Sequence, residues 1–215
     1  DAEVALRRER LALAAALAWE RAAFTRARAA AGDIAAGEAF LAQIRPFVWR
    51  GQLDFGAIEE IRALTHRIRH SHEGPAAPGP GFDVKRGRGG IREIEFYAQT
   101  HQLIHGGRDA SLRVRGTRAA LDALAAAGWI APDNARTLGE AYDRLRQVEH
   151  RLQMVSDRQT HALPEGEALD NVARLDGLAD GAALVAELTE LTARTGRIYE
   201  ELIGQSDLAP IPVAM

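Results

Sequence analysis

The stretch PDNARTLGEAYDRLRQVEHRLQMVSD, residues 132–157, carries the clearest secondary-structure pattern in the chain. Pro132 stands where a first helical turn tolerates proline, because the N–H that proline lacks is not needed there. Apolar side chains then recur every three or four residues, which places them on one face of an α-helix. They are Leu138, Tyr142, Leu145, Val148, Leu152 and Val155. The stretch therefore predicts a long amphipathic helix, from Pro132 to about Asp157, with one buried stripe.

Helical patterns extend from this segment in both directions. The predicted helices cover about residues 2–31, 38–44, 54–70, 90–105, 117–128, 167–175 and 180–203. Glycine, proline or a capping side chain marks most of their ends. Gly32-Asp33 is expected to stop the first helix, Pro46 to cut the second and Thr117 to cap the helix of residues 117–128. Residues 71–81 are rich in proline and glycine and predict a surface loop. No tandem repeat is present, so we predict an all-α chain, a helical bundle of about six to eight helices.

The composition supports this fold class. Of the 215 residues, 47% are apolar but only 6% are aromatic, which favours helices packed through small side chains over a β-sandwich. The net charge of −3 comes from nearly balanced acids and bases. The chain therefore lacks the overall positive field of a nucleic-acid binder, and any anion site must be local.

Two absences bound the function further. The chain has no cysteine, which excludes a disulfide framework, a thiolate zinc site and a cysteine nucleophile, and which suits a reducing cytoplasm. It has no run of about twenty apolar residues, so we expect no membrane partner. Because the chain begins at Asp1 rather than methionine, we expect it to be a piece of a longer protein.

Histidine pairs are the first candidates for a chemical site. His66 with His70, and His101 with His105, have the spacing that places two imidazoles on one helical face. Neither pair contains the glutamate of the zincin pattern HExxH, so we predict no metal site. Neither GxSxG nor SxxK occurs, which argues against a serine hydrolase.

The stretch DVKRGRGGIREIEF, residues 83–96, sets basic side chains among glycines directly before a predicted helix. Such glycines let the backbone bend and expose N–H groups at the positive end of the helix. A phosphate there would gain from oriented amides and from bidentate arginine contacts together. The candidate phosphate or nucleotide residues are Lys85, Arg86, Gly87, Arg88, Gly89, Gly90 and Arg92.

The alternative reading of this stretch is a flexible connector with solvated arginines. It matches neither a Walker loop, which needs GxxxxGK[ST], nor a dinucleotide fingerprint, which follows a strand. Glu93 and Glu95 point to different sides of a helix and so do not form an acid–base pair. Glu93 near the helix start complements the helix dipole. Both readings stay open on the residues alone.

Five stretches carry a family resemblance. They are AWERAAFTRARAAAGD, RPFVWRGQLDFGAIEEIR, DVKRGRGGIREIEFYAQTHQLIHGGRDASLR, YDRLRQVEHRLQMVSDRQTHALP and the terminal RIYEELIG. The first four cover most of residues 19–164, in family order. They resemble the bacterial glutamine synthetase adenylyltransferase / adenylyl-removing enzymes.

The resemblance implies a function and a missing part. Family enzymes have two halves, each a nucleotidyltransferase domain followed by a helical domain. One half attaches AMP from ATP to a tyrosine of glutamine synthetase, and the other removes it by phosphorolysis. The wording GGIREIEF is similar to the removing half. The family's magnesium-binding Asp-x-Asp motif is not found here, so this chain is expected to lack the α/β nucleotidyltransferase domain and catalytic competence.

The resemblance also implies roles and partners. The basic loop residues would complete an anion site against the missing nucleotidyltransferase domain. Glutamine synthetase and the PII signalling protein are the implied partners, and magnesium with ATP, ADP or phosphate are the implied cofactors of the full enzyme. The implied domain-junction residues are Trp19, Glu20, Arg21, Arg26 and Arg28.

These expectations give a predicted domain organisation and one alternative function. Residues 1–33 would form the helix leaving the absent domain, 34–204 the helical bundle and 205–215 an extended tail. Trp19, like Phe47, Trp49 and Phe55, is predicted to anchor the core rather than touch substrate. Arg146, Glu149 and Arg151 would form ion pairs along the long helix, with a solvated face as the alternative. The rival function is a non-catalytic protein-interaction module with no nucleotide role.

Overall fold

The computed structural model describes residues 18–51, 63 and 74–206, and within these ranges it contains helices and no strand. The helices are α1 (Ala18–Phe24), α2 (Ile34–Val48), α3 (Ile91–His105), a 3-10 turn (Ala110–Leu112), α4 (Thr117–Ala126), α5 (Pro132–Ser156), α6 (Gly166–Leu175) and α7 (Gly181–Ser206). The prediction of an all-α chain of six to eight helices is confirmed. No helix in these ranges is long and apolar enough to cross a membrane.

The chain forms two compact units. The first is described over residues 18–51, 63 and 98–129, and the second over residues 74–97 and 130–206. Helix α3 begins in the second unit and ends in the first. The domain boundaries expected near residues 33 and 204 stay predictions.

In the first unit, α1 contacts α2 and the 3-10 turn contacts α4. The amide group of Gln102 ties α3 to the turn, since Nε2 donates to the carbonyls of Leu112 and Val114 at 2.7 and 2.8 Å. Gly128 follows α4 with a φ of +76°, as expected for a helix stop. Thr117 is the first residue of α4 rather than its cap, which is Gly116.

Two helix boundaries in this unit differ from the prediction. Helix α1 ends at Phe24 instead of near residue 31, where Thr25 Oγ1 donates to the Ala22 carbonyl at 2.7 Å. Helix α2 begins at Ile34, because the Asp33 side chain accepts a hydrogen bond from the Ala36 amide at 2.9 Å. Asp33 is thus a helix start, whereas the sequence interpretation made it part of a stop.

Helix α2 also continues through Pro46, which was expected to end it. Proline lacks the N–H that would bond back along the helix. Here Pro46 lies in the last turn, so only one bond is lost and the helix ends at Val48. The predicted helix of residues 54–70, with His66 and His70, lies outside the described residues except for Ala63, which is helical.

The second unit is built on α5, α6 and α7, each of which contacts the other two. Pro132 occupies the first turn of α5 as predicted. Four of the six stripe residues are buried, namely Leu138, Leu145, Val148 and Leu152. Tyr142 and Val155 remain partly exposed, which corrects the prediction for these two positions.

A segment that we call the strap, residues 157–165, follows α5. It runs back beside the end of the proline- and glycine-rich loop, which is described over residues 74–81. Asp157 turns the chain with a φ of +45°. Three backbone hydrogen bonds of 2.8 to 2.9 Å then join the two segments: Gly81 donates to Leu163, Leu163 to Phe82, and Val84 to His161. This pairing fixes the loop end immediately before the basic motif.

Candidate functional site

The motif loop, residues 83–90, folds around the side chain of Asp83. Its Oδ1 atom accepts from the backbone amides of Lys85 and Arg86 at 2.9 and 2.8 Å, and its Oδ2 atom accepts from Arg86 Nε at 2.8 Å. Burial alone would raise the pKa of Asp83, but the hydrogen bonds from Arg86 and Lys85 lower it below its ordinary value. Asp83 is therefore the ionised centre of a tight turn.

The backbone amides at the start of α3 also donate to acceptors within the protein. The Gly89 amide donates to Glu93 Oε2 at 2.8 Å, and Glu93 is buried. Seven of the eight amides of residues 85–92 donate to acceptors inside the unit. The motif loop therefore does not present the row of open N–H groups that the sequence interpretation expected. Anion binding by its side chains stays a prediction.

The basic side chains of the motif loop are paired with different carboxylates. Lys85 Nζ lies 3.5 Å from Glu149, Arg86 Nε 2.8 Å from Asp83, and Arg88 Nη2 2.9 Å from Glu200. Lys85 reaches a buried carboxylate, whereas about half of the Arg86 and Arg88 side chains is exposed. The described part of the chain gives no ion pair for Arg92. The predicted cluster is thus spread over several carboxylates.

The glycines of the motif loop permit close packing against α7. Gly89 has a φ of +73°, and a Cβ atom there would lie 2.7 Å from the Thr192 carbonyl carbon and closer still to its oxygen. On the facing helix, Gly196 has the Arg88 side chain above it, with Cζ 3.3 Å from the position of a Cβ. Backbone approach to α7, rather than to a phosphate, therefore accounts for Gly89.

A buried carboxylate connects the motif loop, α5 and the strap. Glu149 is 1% exposed and pairs with Arg146 and with Lys85, and His161 Nδ1 lies 2.9 Å from its Oε1 atom. A carboxylate out of water needs such partners, since its desolvation is costly. The expected pair of Arg146 and Glu149 exists, with the carboxylate buried and the arginine partly exposed. Glu149 follows the buried Leu145 by four residues, which is the sequence signal for its burial.

A second network joins α5 to α6 and α7. Arg144 binds Glu187 through Nε and Nη2, at 2.5 and 2.9 Å, and Asp176 through Nη1 at 2.6 Å. The Asp176 side chain is 1% exposed and also accepts from Arg151 and Gln147, each at 3.1 Å. The hydrogen bond to Glu187, opposed by partial burial and aided by Asp176, raises the pKa of Arg144. Arg151 thus pairs with Asp176, not with Glu149 as predicted.

The exposed side of α5 forms an open groove of about 440 Å³, which we call the α5 groove. Its lining consists of polar and charged side chains from three successive turns of the helix. They are Tyr142, Asp143, Arg146, Gln147, His150 and Arg151. Sequence reasoning did not identify this groove, because it treated Arg146 and Arg151 only as ion pairs or a solvated face and assigned Tyr142 to the buried stripe.

The predicted domain-junction residues lie in the first unit. Arg21 is fully buried, Glu20 is half-buried and Arg28 is exposed. Arg26 donates to Thr117 Oγ1 and to the Arg115 carbonyl, the latter at 3.3 Å, which fastens the end of α1 to the start of α4. The side chain of Trp19 lies outside the described residues. A role of these residues at a domain junction stays a prediction.

The remaining histidine pair forms an aromatic stack. The rings of His101 and His105 are 6.0 Å apart, and His105 stacks on Trp129 with centroids 3.7 Å apart. Burial and then the charge of Arg108 lower the pKa of His105. Burial, followed by the charge of His105, lowers the pKa of His101 to about 4. Across the described residues, no three His, Cys, Asp or Glu side chains are placed to hold a metal ion.

We predict an acid-sensitive stability from His101. Its pKa is about 4 in the folded chain against an ordinary value of 6.5, so the unfolded chain binds more protons between these values. The free energy of unfolding should therefore fall by about 2 kcal/mol from pH 7 to pH 5. Urea titrations at both pH values measure this loss, and His101→Gln should make it smaller. An equal loss in the variant would assign the effect to other groups.

Comparison with known proteins adds two findings. A family model described as GlnD PII-uridylyltransferase matches residues 59–203, which include the motif loop, the α5 groove and the strap. Three curated relatives, each named bifunctional glutamine synthetase adenylyltransferase/adenylyl-removing enzyme, are 48 to 50% identical to the chain.

These relatives come from Bradyrhizobium diazoefficiens (50% over 190 residues), Xanthobacter autotrophicus (48% over 189) and Agrobacterium fabrum (50% over 189). The matches cover 88, 86 and 87% of this chain, respectively. The chain spans 19% of the length of each relative.

Proposed function

The chain belongs to the GlnD PII-uridylyltransferase family, and from this membership we propose that it acts as the helical domain of an enzyme that adenylylates and deadenylylates glutamine synthetase. The observation that carries the proposal is the identity of about 50% over 88% of the chain to a bifunctional enzyme of that name. The chain has no Asp-x-Asp motif of the nucleotidyltransferase type. Its contribution is therefore support of nucleotidyl transfer, not catalysis alone.

Within such a bifunctional enzyme, we assign the chain to the half that removes AMP from glutamine synthetase. The wording GGIREIEF supports it. In this assignment the helical domain lies beside a nucleotidyltransferase domain and supports phosphorolysis of the AMP–tyrosine bond in the cytoplasm. Glutamine synthetase and the PII protein are the proposed partners. Magnesium with ATP, ADP and phosphate belong to the proposed full enzyme.

Within this function, Arg86 and Arg88 are the proposed anion contacts of the motif loop. About half of each side chain is exposed. The Arg88–Glu200 pair is exposed on both sides, and exposed ion pairs hold their partners weakly, whereas Arg86 also holds the buried Asp83. An incoming phosphate can therefore displace Glu200 from Arg88 at small cost. The strap and Thr192 hold the backbone of the motif loop in place. The two guanidinium groups are therefore attached to a backbone of fixed position.

A chimeric enzyme tests this function. The matched 190 residues of the Bradyrhizobium diazoefficiens enzyme are replaced by this chain, and adenylylation and deadenylylation of glutamine synthetase are measured. We expect both activities to be retained. In the chimera, Arg86→Ala/Arg88→Ala should raise the KM for phosphate about tenfold or more, because charge-assisted contacts to the anion are lost.

Arg136→Ala/Arg174→Ala is the matched control, since it removes two exposed arginines of the same unit, which among the described residues bind only Asp133 and Asn171. It should leave the KM for phosphate unchanged. A folded chimera without either activity would contradict the proposed function. Unchanged phosphorolysis in Arg86→Ala/Arg88→Ala would remove the anion role of the motif loop and favour an interaction module without a nucleotide role.

A further inference from the structure

The α5 groove has the dimensions of a small-ligand site. Tyr142, Arg146 and His150 follow one another at intervals of four residues, as do Asp143, Gln147 and Arg151. Two parallel rows of side chains thus run for about 12 Å along the helix. A volume of about 440 Å³ falls in the range of small-molecule pockets.

Charge is distributed unevenly along this groove. The C-terminal end carries Arg146, His150 and Arg151, whereas the N-terminal end carries Asp143 and Tyr142, whose hydroxyl group lies 3.5 Å from Glu95. The groove therefore offers a cationic end and a carboxylate-bearing, aromatic end. A ligand that fits both must carry an anion at one end and hydrogen-bond donors at the other.

The cationic end retains donors for a ligand. Arg146 uses Nη1 to bind Glu149, and in the described part of the chain its Nε and Nη2 atoms have no further partner. Arg151 uses Nε for Asp176 and Nη1 for the Met154 sulfur. His150 is exposed, and no described residue binds its ring. Below them, Glu149 faces Lys85, Arg146 and His161, so its charge is already compensated.

We propose that the α5 groove binds a nucleoside phosphate, with Arg146, His150 and Arg151 on the phosphate, Asp143 on the ribose hydroxyls and Tyr142 beside the base. Guanidinium groups bind phosphate through paired N–H donors. A carboxylate is the usual acceptor for ribose hydroxyls. This goes beyond the proposed function, because it places nucleotide binding on the helical domain itself and away from the motif loop.

Calorimetric titration of the 215-residue chain with AMP, ADP, ribose 5-phosphate and inorganic phosphate tests the proposal. We expect saturable binding of AMP and ADP. His150→Glu and Arg146→Gln should each weaken it about tenfold or more, since the first places a carboxylate beside the phosphate and the second removes a charged contact. His150→Glu alters an exposed side chain and so keeps the fold, which far-ultraviolet circular dichroism verifies. Arg136→Gln, on the same helix but outside the groove, should bind as the parent does.

Four outcomes would overturn the proposal: no saturable binding of AMP or ADP, equal affinity in His150→Glu, equal weakening in Arg136→Gln, or loss of binding only in Arg86→Ala/Arg88→Ala. Inorganic phosphate binding as tightly as AMP would refute the ribose and base contacts. The chimeric enzyme distinguishes the two proposals. Retained activity with no AMP binding to the chain would remove the groove site and leave the proposed function standing.

Discussion

Gly89→Ala is expected to lower the free energy of unfolding of the second unit by about 3 kcal/mol. The substitution combines two costs. A residue with a Cβ is strained at a φ of +73°, by about 1 kcal/mol. The new methyl group would also overlap the Thr192 carbonyl, and forcing atoms into a packed site costs about 1–3 kcal/mol.

The backbone nature of the obstacle is the reason for this large effect. A flexible side chain can rotate away from an added methyl group, but the Thr192 carbonyl is held within α7. Either the motif loop or the helix must shift. The shift should also disturb the hydrogen bond from the Gly89 amide to Glu93.

Gly177→Ala is the matched control for Gly89→Ala. Gly177 has a φ of +75° and belongs to the same unit, yet no atom lies within 4 Å of the position of its Cβ. It should therefore cost only the backbone strain, about 1 kcal/mol. Urea unfolding followed by circular dichroism measures both variants. Equal destabilisation of the two would show that close packing on Thr192 contributes nothing.

Asp176→Asn is expected to cost about 3 kcal/mol of unfolding free energy, since breaking a buried ion pair strands its partners. The substitution keeps the size of the side chain but removes the charge that Arg144 and Arg151 share. Arg144 keeps Glu187, so only one of its two carboxylates is lost.

The exposed pair of Asp133 and Arg136 provides the control. Asp133→Asn should give no measurable change, because water screens an exposed pair. A double-mutant cycle of Asp176→Asn with Arg144→Gln should show coupling of about 1–3 kcal/mol. Additive effects of the two substitutions would mean that the contact stabilises neither α5 nor the end of α6.

Long periodic segments were predictable because their signal lies within the segment. Helix α5 has its proline, its spacing and its capping turn in consecutive residues, and the structure places it at Pro132–Ser156. Helix α2 was predicted too short because Pro46 was taken as a break and Asp33 as part of a stop. A proline can break a helix or lie in its last turn, and an aspartate can follow one helix or cap the next. Only the position of the helix end decides between these roles.

The site depends on contacts that no local pattern contains. Gly89 meets Thr192 about a hundred residues later in the chain, and Asp176, which directly follows α6, accepts hydrogen bonds from Arg144 and Arg151 of α5. From the sequence, the glycines suggested either a phosphate cradle or a connector, and the charges of α5 suggested ion pairs or a solvated face. Only the burial of Glu149 had a local signal, through its position four residues after Leu145.

The strap has a consequence for the order of folding. Its backbone bonds to residues 81–84 join parts of the chain that are separated by about eighty residues. Closing so large a loop costs chain entropy before any contact repays it. Helices α3 and α5 can form early from local contacts, whereas the motif loop reaches its final shape only when the strap returns. During synthesis, the motif loop therefore lacks the backbone bonds to the strap until residue 163 has been added to the chain.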